Sequence, residues 1–191
     1  MIDANAALER LKAGNAAYQQ ASRNSGDISQ ELIHELFEQG QAPFACVISC
    51  ADSRVVPEHI FMTGLGELFC IRVAGNIVGD MELASSIYAA EHLHTPLVVV
   101  LGHTSCGAIA SAMEAIEGMM PPLGHALSPL LRGVAAAIGQ EKDPDAAAIA
   151  NVQASLRTLA ADPIIQHLQH DEGLQLKGAL YHTDSGAVEF L

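Results

Sequence analysis

The sequence predicts an α/β fold: a single domain with a mostly parallel central sheet flanked by helices, preceded by an N-terminal helical arm. Three observations lead there. Short apolar runs of strand length recur at 44–49, 68–73 and 97–101. Each is followed by a polar or glycine-containing turn and then a helical pattern, the βαβ order whose crossovers build parallel sheets. No Pro/Gly/Ser-rich linker divides the 191 residues, a length that buries one sizeable core.

In chain order, Asp3 is placed to cap a helix running to about Ala21, with Leu8, Leu11 and Tyr18 as its apolar positions. Ser29 caps a second helix through Leu32, Ile33, Leu36 and Phe37, which Gly40 ends. Residues 1–40 therefore form the arm of a domain spanning 1–191. Phe44 to Ser49 lies between Pro43 and the polar Asp52-Ser53-Arg54 and reads as a buried strand, and Leu68 to Val73 reads likewise after Gly64 and Gly66. Glu82 to Leu93 is helical, and Pro96 blocks its continuation into Leu97 to Leu101, the strongest strand signal in the chain. From Gly107 an Ala- and Ile-rich helix runs to about Gly118, broken by Met119-Met120-Pro121-Pro122. Residues 145–170 are helical, with Pro163 opening a new helix after Asp162. Gln175 to His182 and Ala187 to Leu191 are the final strands, around an Asp184-Ser185-Gly186 turn.

Composition removes several classes of function. Half the residues are hydrophobic and 16% are charged, which excludes a disordered chain. Acidic residues outnumber basic ones 22 to 9, giving a net charge of −13. That balance argues against nucleic acid and against anionic membrane surfaces as partners, since phosphate binding needs a basic face. Mean hydropathy is +0.25, yet no apolar run approaches the 18 or so residues of a membrane span. The start, Met1-Ile2-Asp3-Ala4-Asn5, carries an acid where a signal peptide needs positive charge, so a cytoplasmic location is expected.

In that compartment the four cysteines are thiols rather than disulfides. Cys46 and Cys70 lie inside apolar strands and read as core residues. Cys50 and Cys106 differ, because both follow strand ends, where open parallel sheets place their ligands. One strand end carries Cys50-Ala51-Asp52-Ser53-Arg54 and the other His103-Thr104-Ser105-Cys106. Two thiolates and an imidazole suit Zn²⁺, and three protein ligands with one open position describe a catalytic rather than a structural zinc. Asp52 is the nearby carboxylate available as a fourth ligand, and Arg54 is placed to hold it bidentately and keep it off the metal. Each residue alone also fits a bland role: buried thiols, a strand-end histidine, a surface ion pair. The joint pattern is specific.

Cys50-Ala51-Asp52-Ser53-Arg54 followed by Gly102-His103-Thr104-Ser105-Cys106-Gly107 resembles the paired signatures of the β-class carbonic anhydrases. The likeness extends through Gly66-Glu67-Leu68-Phe69, Arg72-Val73-Ala74-Gly75-Asn76 and Glu91-His92-Leu93, and returns in Gly178-Ala179-Leu180-Tyr181. It implies a zinc enzyme interconverting CO₂ and bicarbonate, with one Zn²⁺ per subunit, active as a homodimer or dimer of dimers. Position by position, it implies Cys50, His103 and Cys106 as metal ligands and Asp52 with Arg54 as the catalytic dyad. Asp52 would join the metal only in a closed state. Gln41, Phe69 and Tyr88 match substrate-pocket residues of the plant-like branch. The branch with an inhibitory bicarbonate site has tryptophan three residues before the first cysteine ligand; this chain has Val47 there, so such inhibition is not expected.

The implied reaction is attack of zinc-bound hydroxide on CO₂, with zinc lowering the pKa of its water from about 15.7 towards 7. Asp52 orients the hydroxide, Arg54 fixes Asp52, and Gln41 donates to the developing bicarbonate. Two rivals share the ligand set: a hydrolase of carbonyl sulfide or carbon disulfide, and a non-catalytic zinc protein with a closed four-ligand site.

Overall fold

A computed structural model of the chain describes residues 2–119, 121 and 125–191. Helix α1 (Ala4–Tyr18) opens on Asp3, whose carboxylate accepts the Ala6 N–H at 2.8 Å. Its buried row is Ala4, Ala7, Leu11 and Asn15, so small side chains let the helix lie close to the sheet. Gly14 is the point of closest approach, since a Cβ there would overlap the Phe61 carbonyl. Helix α2 (Gln30–Gln39) is capped by Ser29, whose hydroxyl accepts the Leu32 N–H, and stops at Gly40, which has φ +80°. None of its residues is buried: Phe37 is 86% exposed. Leu32 and Leu36 are half-buried, whereas Ile33 and Phe37 are exposed among the described residues.

Strand β1 (Ala45–Ser49) leads through the short helix α3 (Pro57–Ile60) to β2 (Leu68–Arg72), then to α4 (Asp80–Ile87) and β3 (Leu97–His103). Helices α5 (Gly107–Glu114), α6 (Ser128–Ile138), α7 (Pro144–Ala160) and α8 (Pro163–Asp171) precede β4 (Gln175–Tyr181) and β5 (Val188–Phe190). The sheet order is β2-β1-β3-β4-β5, parallel except for the antiparallel β5. Strands β1 and β3 are buried at every residue, which explains their unbroken apolar sequence. Ala45, Val47, Val99 and Leu101 face α1 and α3, while Cys46, Ile48, Val98 and Val100 face α7 and α8. A third cluster, built from Ile109, Leu131, Val134, Ile138 and Leu180, closes around Cys50 and Cys106.

Several elements depart from expectation. Helix α4 passes into a wider π turn over Tyr88–His92, and α5 does the same over Ala115–Met119, ending where Gly118 takes φ +112°. The expected break over 119–122 falls partly outside the described residues. The helical stretch at 145–170 divides at Pro163 as expected, into α7 and α8, each opened by an aspartate cap and a proline, Asp143-Pro144 and Asp162-Pro163. Helix α6 was not anticipated. Among the described residues no helix is long and apolar enough to cross a membrane.

From β1 the chain moves outward to β2, and from β3 it moves the opposite way to β4. The crevice beyond the carboxyl ends of β1 and β3 is thus the topological switch point, where sheets of this kind bind ligands.

Candidate metal centre

Cys50 is the first residue beyond β1, and His103 is the last residue of β3. The chain then turns back through Ser105, at φ +56°, to place Cys106 at the N-terminus of α5. These neighbouring strand ends bring the two sulfurs and a ring nitrogen of His103 within 4.8 Å of one another, all three residues buried. His103 Nδ1 lies 2.9 Å from the Thr104 carbonyl, to which it donates. That bond fixes the tautomer and leaves Nε2 as a bare lone pair. Nε2 is buried and has no hydrogen-bond partner among the described residues. An unpaired imidazole nitrogen facing two thiols is costly unless a metal occupies the space between them. Two sulfurs and one nitrogen are the donor set of zinc, so these residues fit that ion.

The sulfurs are electrostatically unlike. The hydrogen bond from Cys106 pulls the Cys50 thiol well below the usual range, aided by the N–H groups of Asp52 and Gly75. Cys106 is pushed up, chiefly by that same bond to Cys50 and then by burial. A metal binds cysteine as thiolate, so a cation in the triad would displace thiol protons.

Arg54 grips Asp52 with both arms of its fork, Nε to Oδ1 at 3.0 Å and Nη2 to Oδ2 at 2.8 Å. The Arg54 N–H adds a third bond to Oδ1 at 2.9 Å. The Arg54 side-chain bond, above all, holds the Asp52 carboxyl well below the usual carboxylate range. Nη2 also donates to the Ser105 carbonyl at 3.0 Å, tying the β1 loop to the β3 loop.

Arg72, at the end of β2, carries a role that its position on a strand did not announce. Its Nη2 donates to the Asp52 carbonyl at 2.9 Å, bracing the loop that presents Cys50 and Asp52. Thr104 is held to Tyr181 through its N–H and to Thr183 through its hydroxyl, anchoring the His103 loop on β4. An arginine at the end of one strand and a threonine one residue past another were the available signals.

The expected pocket residues gather elsewhere. Phe69 pairs with Cys46 in the sheet, four residues before Cys50 and so about 13 Å back along the strand. Tyr88 sits against Phe69 with ring centroids 6.2 Å apart. Gln41 precedes β1 altogether, at the amino end of the sheet. Gln41 and the Phe69–Tyr88 pair thus lie towards the amino end of the sheet, whereas the Cys50–His103–Cys106 triad lies at its carboxyl end. Cys46 is fully buried, as expected of a core thiol, and burial pushes it up to about 12. Cys70 is partly buried and is also raised by burial.

A family model described as carbonic anhydrase matches residues 45–188. Carbonic anhydrase 2 of Mycobacterium tuberculosis is 42% identical over 118 residues, 61% of this chain and 56% of that protein. The chain therefore aligns with little more than half of that relative's length. A carbonic anhydrase of Mycolicibacterium smegmatis is 34% identical over 194 residues, covering 96% of this chain and 91% of its own. Among solved structures, a tetrameric β-carbonic anhydrase from Sordaria macrospora superposes with a TM-score of 0.74 at 26% identity, over 98% of this chain and 97% of that one. The parallel sheet, the triad at its switch point and these likenesses agree, and the chain belongs to the β-class carbonic anhydrase family.

Proposed function

We propose that this protein catalyses the reversible hydration of carbon dioxide to bicarbonate and a proton, with one zinc ion held by Cys50, His103 and Cys106. The observation that carries this reading is the bare, buried Nε2 of His103 beside two thiols, next to a carboxylate clasped by arginine. When bound, zinc supplies a Lewis acid that makes water nucleophilic near neutral pH.

The chain's own groups do the rest. Asp52, ionised and acceptor-only, takes a hydrogen bond from the reacting water and orients it towards CO₂. Arg54 occupies both Asp52 oxygens, which supports the reading that the carboxylate is kept from the metal as an acceptor rather than a ligand. Arg72 and the Arg54–Ser105 bond hold the two loops in register, so the acceptor keeps its place through turnover.

Gln41, Phe69 and Tyr88 line the pocket of a second copy's site. Their separation from the triad of their own chain supports this, and the uncovered row on α2 with Ile33 and Phe37, together with exposed Leu65, gives that copy an apolar surface to bury. A homodimer, alone or paired into a tetramer, satisfies both.

Zinc content together with stopped-flow CO₂ hydration tests the proposal, with carbonyl sulfide hydrolysis assayed alongside. The expected result is one zinc per chain, CO₂ hydration, and loss of both in Cys50→Ala. A Cys50→Ala protein that keeps zinc and hydratase activity overturns it, as does a zinc-loaded protein inactive on CO₂ at every pH.

A further inference from the structure

Gly75 and Asn76 are consecutive residues in the left-handed region, at φ +70° and +42°. Asparagine tolerates that region, but a buried pair of such residues persists only where its surroundings hold it. Here the hold comes from α7. Asn151 Nδ2 donates to the Gly75 carbonyl at 2.7 Å, and Ser155 Oγ donates to the Asn76 carbonyl at 3.1 Å. The two donors stand four residues apart on one helix face, and both are almost fully buried. The segment is also wedged: a Cβ on Gly75 would lie 3.1 Å from Ala108 Cβ and 3.2 Å from Val134 Cγ2. On its opposite side, the Gly75 N–H points at Cys50 Sγ across 3.3 Å.

We infer that Asn151, supported by Ser155, is a positioning residue that holds the Gly75 N–H on the Cys50 sulfur and thereby sets how strongly that sulfur donates to the metal. The inference rests on the reading that Cys50, His103 and Cys106 bind zinc. An N–H bonded to a thiolate withdraws electron density from it, and outer groups of this kind tune both the ligand and the acidity of metal-bound water. Releasing the Gly75 carbonyl frees the segment to rotate and takes the N–H off the sulfur. The sulfur becomes a richer donor in a less ordered site.

Cobalt(II) substitution reads this directly. In the cobalt-loaded protein, Asn151→Ala moves the sulfur-to-cobalt charge-transfer band to longer wavelength, and zinc affinity measured against a chelator falls about 10–100-fold. Ser155→Ala does the same to a smaller degree and serves alone if Asn151→Ala does not fold. Leu159→Ala, on the same helix and buried against the sheet one turn beyond Ser155, loses packing and leaves the band in place. A band that stays put in the folded Asn151 and Ser155 variants overturns the inference, and so does one that moves equally in Leu159→Ala. If the unaltered chain shows no sulfur-to-cobalt band, the metal reading itself fails and the inference falls with it.

Discussion

Val152 projects from α7 into the notches left by two glycines on neighbouring strands. A Cβ built on Gly102 would come 2.6 Å from Val152 Cγ2, and one on Gly178 would come 2.9 Å from Val152 Cγ1. Gly102 directly precedes His103 on β3, so this contact sets how closely that strand seats under α7. Gly102→Ala forces the two methyls apart, an overpacking that costs about 1–3 kcal/mol. Val152→Ala alone removes two buried methyls, worth about 0.8 kcal/mol each in transfer, and with the cavity left behind costs about 2 kcal/mol. If the clash is the cause, the double variant is not the sum. The new alanine at 102 fills the vacated space, and the combined cost returns to about 1–2 kcal/mol, a coupling of about 1–4 kcal/mol. In a chain of this length each kcal/mol moves the melting temperature by about 2–4 °C. Urea and thermal unfolding at one fixed protein concentration, with zinc content measured in parallel, supply the four corners of the cycle. Strict additivity refutes the packing argument, as does a Gly102→Ala protein as stable as the parent.

Asp52→Asn keeps the shape and zinc but loses the ionised acceptor, and CO₂ hydration falls about 10²–10⁴-fold; unchanged turnover would remove Asp52 from the chemistry. Stripping the metal lowers the melting temperature, because a ligand at a thousand times its dissociation constant stabilises by about 4.1 kcal/mol, and differential scanning calorimetry with and without chelator measures it. Mixing and refolding inactive Cys50→Ser chains with Gln41→Ala chains restores activity, since each mixed dimer has one site with an intact triad and an intact Gln41 from across the interface. No recovery in a mixed dimer would place Gln41 outside the partner's pocket. The Cys46 thiol is raised in the folded chain from 9.0 to about 12, so its contribution to stability is complete below about pH 9 and is lost as pH rises towards 12. Cys46→Ala therefore flattens the alkaline fall in stability measured by circular dichroism; an unaltered slope would contradict the burial argument.

The elements that the sequence made legible were those with a single local cause. Strands β1 and β3 are buried on both faces, so their apolar runs are unbroken, and Asp3, Ser29 and Asp162 advertise helix starts because they satisfy free N–H groups. Helix α6 was not anticipated although it carries the usual signals, with Pro129 near its start, Gly139 at its end and Leu131, Val134 and Ile138 buried along one face between them. The chemistry of the site was legible for a related reason. Both motifs are short and end a strand, so residues two to four apart in sequence remain together in space.

What stayed hidden depends on contacts between distant segments. Arg72 braces a loop twenty residues away, and Asn151 reaches a carbonyl seventy-six residues earlier. No spacing rule connects them. Gln41, Phe69 and Tyr88 show the same limit from the other side, since residue types can match a pocket without stating whose pocket it is. The sheet answers by direction: a parallel strand sends its ligands to the carboxyl end, so residues at or before its amino end cannot serve the same crevice. If Cys50, His103 and Cys106 hold the metal and Gln41, Phe69 and Tyr88 serve a pocket, each chain carries the two halves of a site towards opposite ends of its sheet, and pairing two copies is the arrangement that would let them meet.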